Sequence, residues 1–278
     1  MEHKEGILAG FQKAKIYYQY WMPNGVPKAV LLLVHGLGDH SSRFQTFVSY
    51  YTQRGFAVCA LDLRGHGKSG GIPGYVDRFS DYLTDLNMFF EQVRRDFSET
   101  PVFLVGHSIG GTIATSFTVS HQGELAGLIL SGPVLKPGVS ITRQQIMLAR
   151  ALSVLLPRMG IAPIEAAAIS RRPEIVQAYK DDPLVYHGKI SARLGAELLD
   201  ALERVLPAYL SEINLPLLVM YGGEDRLSNP AGCQLLYDIV KSSDKTLKKY
   251  DNLYHEIFNE PERQQVYADM EIWLSRHL

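Results

Sequence analysis

Continuous apolar runs alternate with segments of helical period through most of this chain. "AKIYYQYWM" (residues 14–22) is rich in aromatic residues and predicts an early strand. "KAVLLLVHG" (28–36) is an unbroken apolar run ending at His35-Gly36, the pattern of a strand buried on both faces of a parallel sheet. In "SRFQTFVSYYTQRG" (42–55), Phe44, Phe47, Val48 and Tyr51 recur with helical spacing and Gly55 supplies the stop. "FAVCALDL" (56–63) predicts the next strand. "FSDYLTDLNMFFEQVRRDF" (79–97) predicts a helix with Leu83, Leu86, Phe90 and Val93 on one face. The alternation continues with the strand "PVFLVGH" (101–107), the helix "SIGGTIATSFTVSH" (108–121) and the strand "LAGLILSG" (125–132).

The alternation then pauses. Residues 133–214 read as helical with no buried-strand run, and include "QQIMLARALSVLLPRMG" (144–160), "PEIVQAYK" (173–180) and "ARLGAELLDALERVLPAYL" (192–210). It resumes with the strand "LPLLVMYG" (215–222), the helix "AGCQLLYDIVKSS" (231–243), the strand "KTLKKYD" (245–251) and a final helix. Strands alternating with helices predict an α/β fold with a mostly parallel sheet covered on both faces. Residues 1–132 and 215–278 then form the core, and 133–214 an inserted helical cap. No strand is expected in the cap, so it is read as a lobe of the same domain. Its first helix carries Ile146, Met147, Leu148, Leu152, Leu155 and Leu156. Laid over the edge of the sheet, that apolar surface predicts an apolar pocket beneath it and contact with membrane surfaces.

Composition narrows the classes. The formal net charge is −1 over 278 residues, so no long-range attraction to nucleic acid is indicated. No apolar run approaches about 18 residues and "MEHKEGILAG" lacks a basic start followed by an apolar stretch, so neither a transmembrane helix nor a signal peptide is expected and the location reads as cytoplasmic. Two cysteines, Cys59 and Cys233, lie far apart, and Cys59 in its apolar run reads as a buried free thiol.

The chemistry concentrates around "LVGHSIGGTIA" (104–114), where Ser108 stands between Gly106 and Gly110. A strand, Gly-X-Ser-X-Gly and a helix form a nucleophile elbow. The turn is so tight that bulky neighbours would collide, and the glycines remove the collision. A serine hydroxyl needs a base, and the base an orienting carboxylate. On such a scaffold the order is Ser, acid, His. "GEDRLSNP" (223–230) offers Glu224 or Asp225 after one late strand, and "NLYHEIFNE" (252–260) offers His255 after the next. His277, penultimate in the chain, is expected to be solvated. The oxyanion requires two donors: the Ile109 amide, and one from "HGLGDH" (35–40), where Leu37 is the natural choice.

Other motifs carry less. "DLRGHGKSGG" (62–71) misses the phosphate-loop pattern because Asp62 stands where glycine is required, so Asp62 or Arg64 is read as tying loops together. No His/Cys cluster has metal-ligand spacing, and no metal or cofactor is expected. A peptidase taking free N-termini would need acidic side chains converging from the cap, with Glu165, Glu174 and Glu197 as candidates. Aspartate at the elbow would mark a dehalogenase or epoxide hydrolase, which Ser108 argues against. A complete set of catalytic side chains argues against an inactive binding protein.

Taken together, "LVHGLGDHSSRF", "LDLRGHGKSGG", "GHSIGG", "GGEDRL" and "YHEIFNE" resemble the monoacylglycerol lipase and lysophospholipase group of α/β-hydrolases, from about residue 29 to the C-terminus. The resemblance implies an eight-stranded α/β-hydrolase sheet with the cap inserted after strand six. It implies Ser108 as nucleophile, His255 as base and Asp225 as acid, the last because Arg226 follows it. It also implies Leu37 and Ile109 as oxyanion donors, and Asp39, Arg43 and His107 near the glycerol end of a lipid ester. This chain departs from the group in Ile109, where methionine is common, and in Asp39, where glutamate is common. The implied reaction is hydrolysis of monoacylglycerols, with a broader carboxylesterase or lysophospholipase as the alternative.

Overall fold

A computed structural model describes residues 2–136, 142–205 and 209–278. Along the chain lie β1 (Glu2–Ala9), β2 (Lys15–Met22), β3 (Ala29–Val34), α1 (Gln45–Thr52), β4 (Phe56–Leu61), α2 (Phe79–Asp96), β5 (Val102–His107), α3 (Ile109–His121) and β6 (Gly127–Ser131). Then come α4 (Arg143–Leu155), β7 (Gly160–Pro163), α5 (Pro173–Asp181), β8 (Lys189–Ser191) and α6 (Ala192–Asp200). The chain closes with β9 (Leu217–Gly222), α7 (Ala231–Ile239), β10 (Lys245–Tyr250) and α8 (Arg263–Leu274).

Among the described residues, eight strands form one sheet in the order β1-β2-β4-β3-β5-β6-β9-β10. All neighbours from β4 to β10 are parallel, and β2 joins β4 and β1 antiparallel. The unbroken apolar runs are the central strands: β3, β4, β5, β6 and β9 are buried at every residue. Period-2 alternation divides their side chains between two cores. Leu32, Val34 and Leu104 pack with Leu86 and Phe90 of α2 and Ile113 of α3. Leu31, Leu33, Phe103 and Val105 face the other way, against Tyr51 of α1 and Tyr267 and Trp273 of α8. Both faces are therefore covered by helices.

Two features depart from the sequence reading. β1 was not read as a strand: it pairs with β2 from Glu2↔Met22 to Ala9↔Lys15 and completes the eight, but as an exposed edge it shows no apolar run. The inserted segment also contains strands, since β7 and β8 form an antiparallel ribbon. β7 is mostly exposed and bounded by Gly160 and Pro163, and β8 has only three residues, so both are too short to leave a period. The stretch 192–210 is α6 followed by a wide helical turn over Ala201–Val205, and residues 206–208 lie outside the described residues.

The first helix of the insertion ends at Leu155; Ile146 and Leu152 are half-buried, while the rest of its large apolar side chains face outward. Met147 is 71% exposed and Leu155 75%, and with Leu148 and Val154 they form one stripe at helical spacing. No described helix is long and apolar enough to cross a membrane.

Candidate active site

Because the central strands are parallel, the loops leaving β3, β5, β6, β9 and β10 all emerge on one edge of the sheet, where open α/β sheets bind ligands. Ser108 joins β5 to α3 with φ 57° and ψ −124°, in the left-handed region that only a tight constraint imposes on a non-glycine residue. Several backbone bonds hold it there. Ser108 N–H donates to Ser131 O (3.1 Å), and Ser108 O accepts from Gly111 N (2.9 Å) and Val134 N (3.0 Å). A β-carbon at Gly106 would lie 2.6 Å from Gly110 O and 2.7 Å from Gly111 Cα, and one at Gly110 would fall on the Val34 and His35 carbonyl oxygens. The spacing around the serine is thus cleared for backbone, in strand, helix and neighbouring strand at once.

Asp225 follows β9 and His255 follows β10. His255 Nδ1 donates to Asp225 Oδ2 at 2.7 Å. Asp225 Oδ1 accepts from Leu227 N (2.8 Å) and Ser228 N (3.0 Å), and Oδ2 also from Ser228 Oγ (2.5 Å). Burial pushes the Asp225 carboxyl up, but His255 and these donors outweigh it and leave it below its ordinary value. For His255 burial acts downward, and the Asp225 charge prevails and raises it. With Nδ1 committed, Nε2 is the ring's free nitrogen, and the ring lines the same cavity as Ser108. No hydrogen bond closes between Ser108 and His255 among the described residues; apo sites commonly hold that contact long until substrate tightens it. Glu224 is exposed at the surface, so of the two acids only Asp225 meets the imidazole.

The cavity measures about 410 Å³. Its floor is Gly36, Leu37, His107, Ser108 and Ile109, and its roof comes from the inserted segment: Ala162, Pro163, Ile164, Ile169, Ile190 and Leu198. The apolar pocket expected under the insertion is present, but α4 does not line it; β7 and the residues after it do. Leu37 N–H and Ile109 N–H donate to no protein acceptor among the described residues, and Ile109 opens α3, where first-turn amides have no partner within the helix.

The polar wall holds Asp39, His107, Tyr179 and Glu256. His107 Nδ1 donates to Ser131 O (3.0 Å), and burial followed by the nearby His255 ring, 5.0 Å away between centroids, brings its pKa down to about 4. Asp39 Oδ1 accepts from His40 N (2.7 Å) and Arg43 Nη1 (3.0 Å), while Oδ2 has no partner among the described residues. Burial raises the Asp39 carboxyl, and Arg43 with the surrounding imidazoles more than reverses it. Arg43 itself stands behind the wall. Its Nη1 reaches Glu256 Oε1 (2.8 Å), its Nη2 Glu256 Oε2 (2.9 Å), and it stacks over Tyr179 at 4.7 Å. The buried Tyr179 hydroxyl has no hydrogen-bond partner among the described residues.

Glu256 and Tyr179 were not singled out from sequence. Glu256 adjoins His255 in a loop, but its burial follows only from the approach of Arg43, 213 residues earlier. Of the acids a peptidase would need, Glu165 lines the cavity, whereas Glu174 pairs with Arg172 outside it and Glu197 accepts from Phe79 N (2.9 Å). His277 is not solvated as expected: it stacks on Trp273 at 4.0 Å and bonds Asp244 at 2.8 Å, because the last helix brings it back against the sheet edge. Asp62 and Arg64 do tie loops, Asp62 accepting from Ser41 N (2.8 Å) and Lys68 N (2.8 Å), Arg64 pairing with Asp85 (2.6 Å). Cys59 and Cys233 are buried free thiols, and burial pushes both up.

Comparison with known proteins places this arrangement. The model of the family described as "Serine aminopeptidase, S33" matches residues 25–262. The chain is 36% identical over 274 residues to the monoacylglycerol lipase of Mycolicibacterium smegmatis, covering 99% of this chain and 98% of that one. It is 34% identical over 264 residues to the human monoglyceride lipase, covering 94% and 87%. The crystal structure of the Paleococcus ferrophilus monoacylglycerol lipase superposes with a TM-score of 0.82 at 28% identity over 100% of both chains. The chain therefore belongs to the serine aminopeptidase S33 family, in the monoacylglycerol lipase group of the α/β-hydrolases, and is a serine hydrolase of carboxylic esters.

Proposed function

We propose that the protein hydrolyses monoacylglycerols to fatty acid and glycerol through an acyl-enzyme on Ser108. The observation that carries this reading is the strained Ser108, facing one cavity with an imidazole that Asp225 holds through Nδ1. His255 Nε2 takes the Ser108 proton as the hydroxyl attacks the ester carbonyl. The Leu37 and Ile109 amides stabilise the oxyanion, as two fixed donors in a water-poor site do. His255 returns the proton to the departing alcohol, then activates the water that releases the acid. Ala162, Pro163, Ile164, Ile169, Ile190 and Leu198 roof the site, and the insertion that carries them is taken as a lobe of the same domain.

The substrate class is supported by the two ends of the cavity. The aliphatic roof suits an acyl chain. Asp39 Oδ2 offers an acceptor, and the Tyr179 hydroxyl is unpartnered, which suits an uncharged polyol. Arg43, placed by the resemblance near the glycerol end of the substrate, does not line the cavity, and its guanidinium bonds Asp39 and Glu256, which supports a role in holding those carboxylates in place. Glu174 and Glu197 lie outside the cavity, which disfavours a site for a free amino terminus. We further infer that the outward stripe of α4 rests in a lipid interface, where such substrates partition.

The test is a series of kcat/KM values for monoacylglycerols of increasing chain length, lysophospholipids, p-nitrophenyl esters and aminoacyl amides, on wild type and Ser108→Ala. The expected result is preference for monoacylglycerols and a loss in kcat on the order of a million-fold in the variant, together with loss of fluorophosphonate labelling. Undiminished turnover by Ser108→Ala would remove the mechanism, and equal kcat/KM for short p-nitrophenyl esters and long monoacylglycerols would favour the broad-esterase reading.

A further inference from the structure

One hydroxyl outside the three side chains of the proposed mechanism bears directly on them. Ser228 closes the loop after β9, is 2% exposed, and does not line the cavity. Its Oγ donates to Asp225 Oδ2 at 2.5 Å, and that same oxygen accepts His255 Nδ1 at 2.7 Å. The loop already anchors the carboxylate through Oδ1, by the Leu227 and Ser228 amides. The hydroxyl is therefore not needed to tether Asp225. It falls on the oxygen that faces the imidazole, in a place where the Asp225 side chain has no exposure and water has no access to take its role.

We propose that Ser228 is a positioning residue that sets how strongly Asp225 holds His255, and so how readily His255 releases the proton it takes from Ser108. The proposal rests on the reading of Ser108, Asp225 and His255 given above. A second donor on Oδ2 draws electron density from the oxygen and weakens its bond to Nδ1. The imidazolium that forms on attack is then stabilised less, and a larger fraction of His255 stays neutral near pH 7, where it acts as a base. The two donors arriving on one oxygen also fix the plane of the carboxylate, which orients the ring.

Ser228→Ala and the nearly isosteric Ser228→Cys remove or weaken the donor without touching substrate. The expected result is an upward move of the acidic limb of kcat/KM by about half to one pH unit, a roughly three- to tenfold gain in proton affinity. The fall in kcat is expected to be several-fold with KM unchanged, larger in Ser228→Ala than in Ser228→Cys, and partly reversed in Ser228→Thr. An acidic limb at the wild-type position in both Ser228→Ala and Ser228→Cys overturns the proposal. If Ser228→Ala fails to fold, the comparison of Ser228→Cys with wild type decides alone. Asp225→Asn and Ser108→Ala are measured alongside. Full activity in either shows that the underlying mechanism is wrong, whereas inactivity in both with an unmoved limb in the Ser228 variants refutes only the role of Ser228.

Discussion

Ser108 shows how much a single residue can demand of its neighbours. Its backbone sits at φ 57°, a conformation costing on the order of 1–3 kcal/mol for a residue with a side chain. The cost is met by three backbone hydrogen bonds and by glycines that let strand and helix approach. Gly106→Ala would place a methyl group 2.8 Å from Ala114 Cβ and closer still to the α3 backbone. The expected cost is about 1–3 kcal/mol of stability, or a melting temperature lower by roughly 3–10 °C, with kcat reduced as the serine shifts. A thermal scan and an activity assay on the same preparation check both, and an unchanged melting point would show that the elbow has slack. This constraint is why Ser108 was legible in sequence: it is enforced by residues within a few positions. His255 was legible from chain order, which left the acid as Glu224 or Asp225; the resemblance, through Arg226, pointed to Asp225. Glu256, Tyr179 and Ser228 were not, because each acquires its role from a partner or cavity that only folding brings to it.

At the scale of elements, what could be read depended on burial. The central strands lie between two cores and are apolar without interruption, so they announced themselves. β1 lies at the edge and β7 and β8 over the roof, so they bury little and left no pattern. α4 was expected to cover a pocket and to contact membrane surfaces; it does not line the cavity, and much of its apolar surface faces outward. Periodicity reports that a face is apolar and is silent on whether protein or lipid covers it. If lipid does, wild-type protein is expected to sediment with anionic or zwitterionic vesicles. The double variant Leu148→Glu/Leu155→Glu is expected to stay in the supernatant with unchanged kcat/KM on a water-soluble ester, since neither residue lines the cavity. Equal sedimentation of both proteins would discard the interfacial role.

The whole molecule responds to pH through its buried imidazoles. Burial first, then a neighbouring ring, brings His66 and His107 down to about 4 from the ordinary 6.5. Below about pH 6.5 the unfolded chain takes up protons that these native side chains refuse, so stability falls as pH drops from about 6.5 towards 4. Each contributes up to about 3 kcal/mol across that interval. Asp225 has the same sign at lower pH, its contribution being lost as pH falls through its depressed native value. His255 has the opposite sign: its contribution is complete below 6.5 and disappears as pH rises through its raised native value, where activity appears. Melting temperature measured at constant ionic strength is therefore expected to fall steadily from pH 6.5 to 4, and a flat profile there would contradict the burial of these rings as neutral groups.

The sequence by itself determined the alternation of strands and helices, the elbow at Ser108 and the order in which acid and base follow it. These are local properties: hydrophobic period, steric relief within a turn, and succession along the chain. Only the tertiary structure decided that Arg43 is consumed by two carboxylates, that β7 and its neighbours rather than α4 roof the cavity, that Ser228 shares an oxygen with His255, and that His277 is packed against Trp273. Each of those joins groups far apart in the chain or chooses which surface meets which. Such contacts are set by the geometry of packing, which a pattern of apolar and polar positions constrains but does not specify.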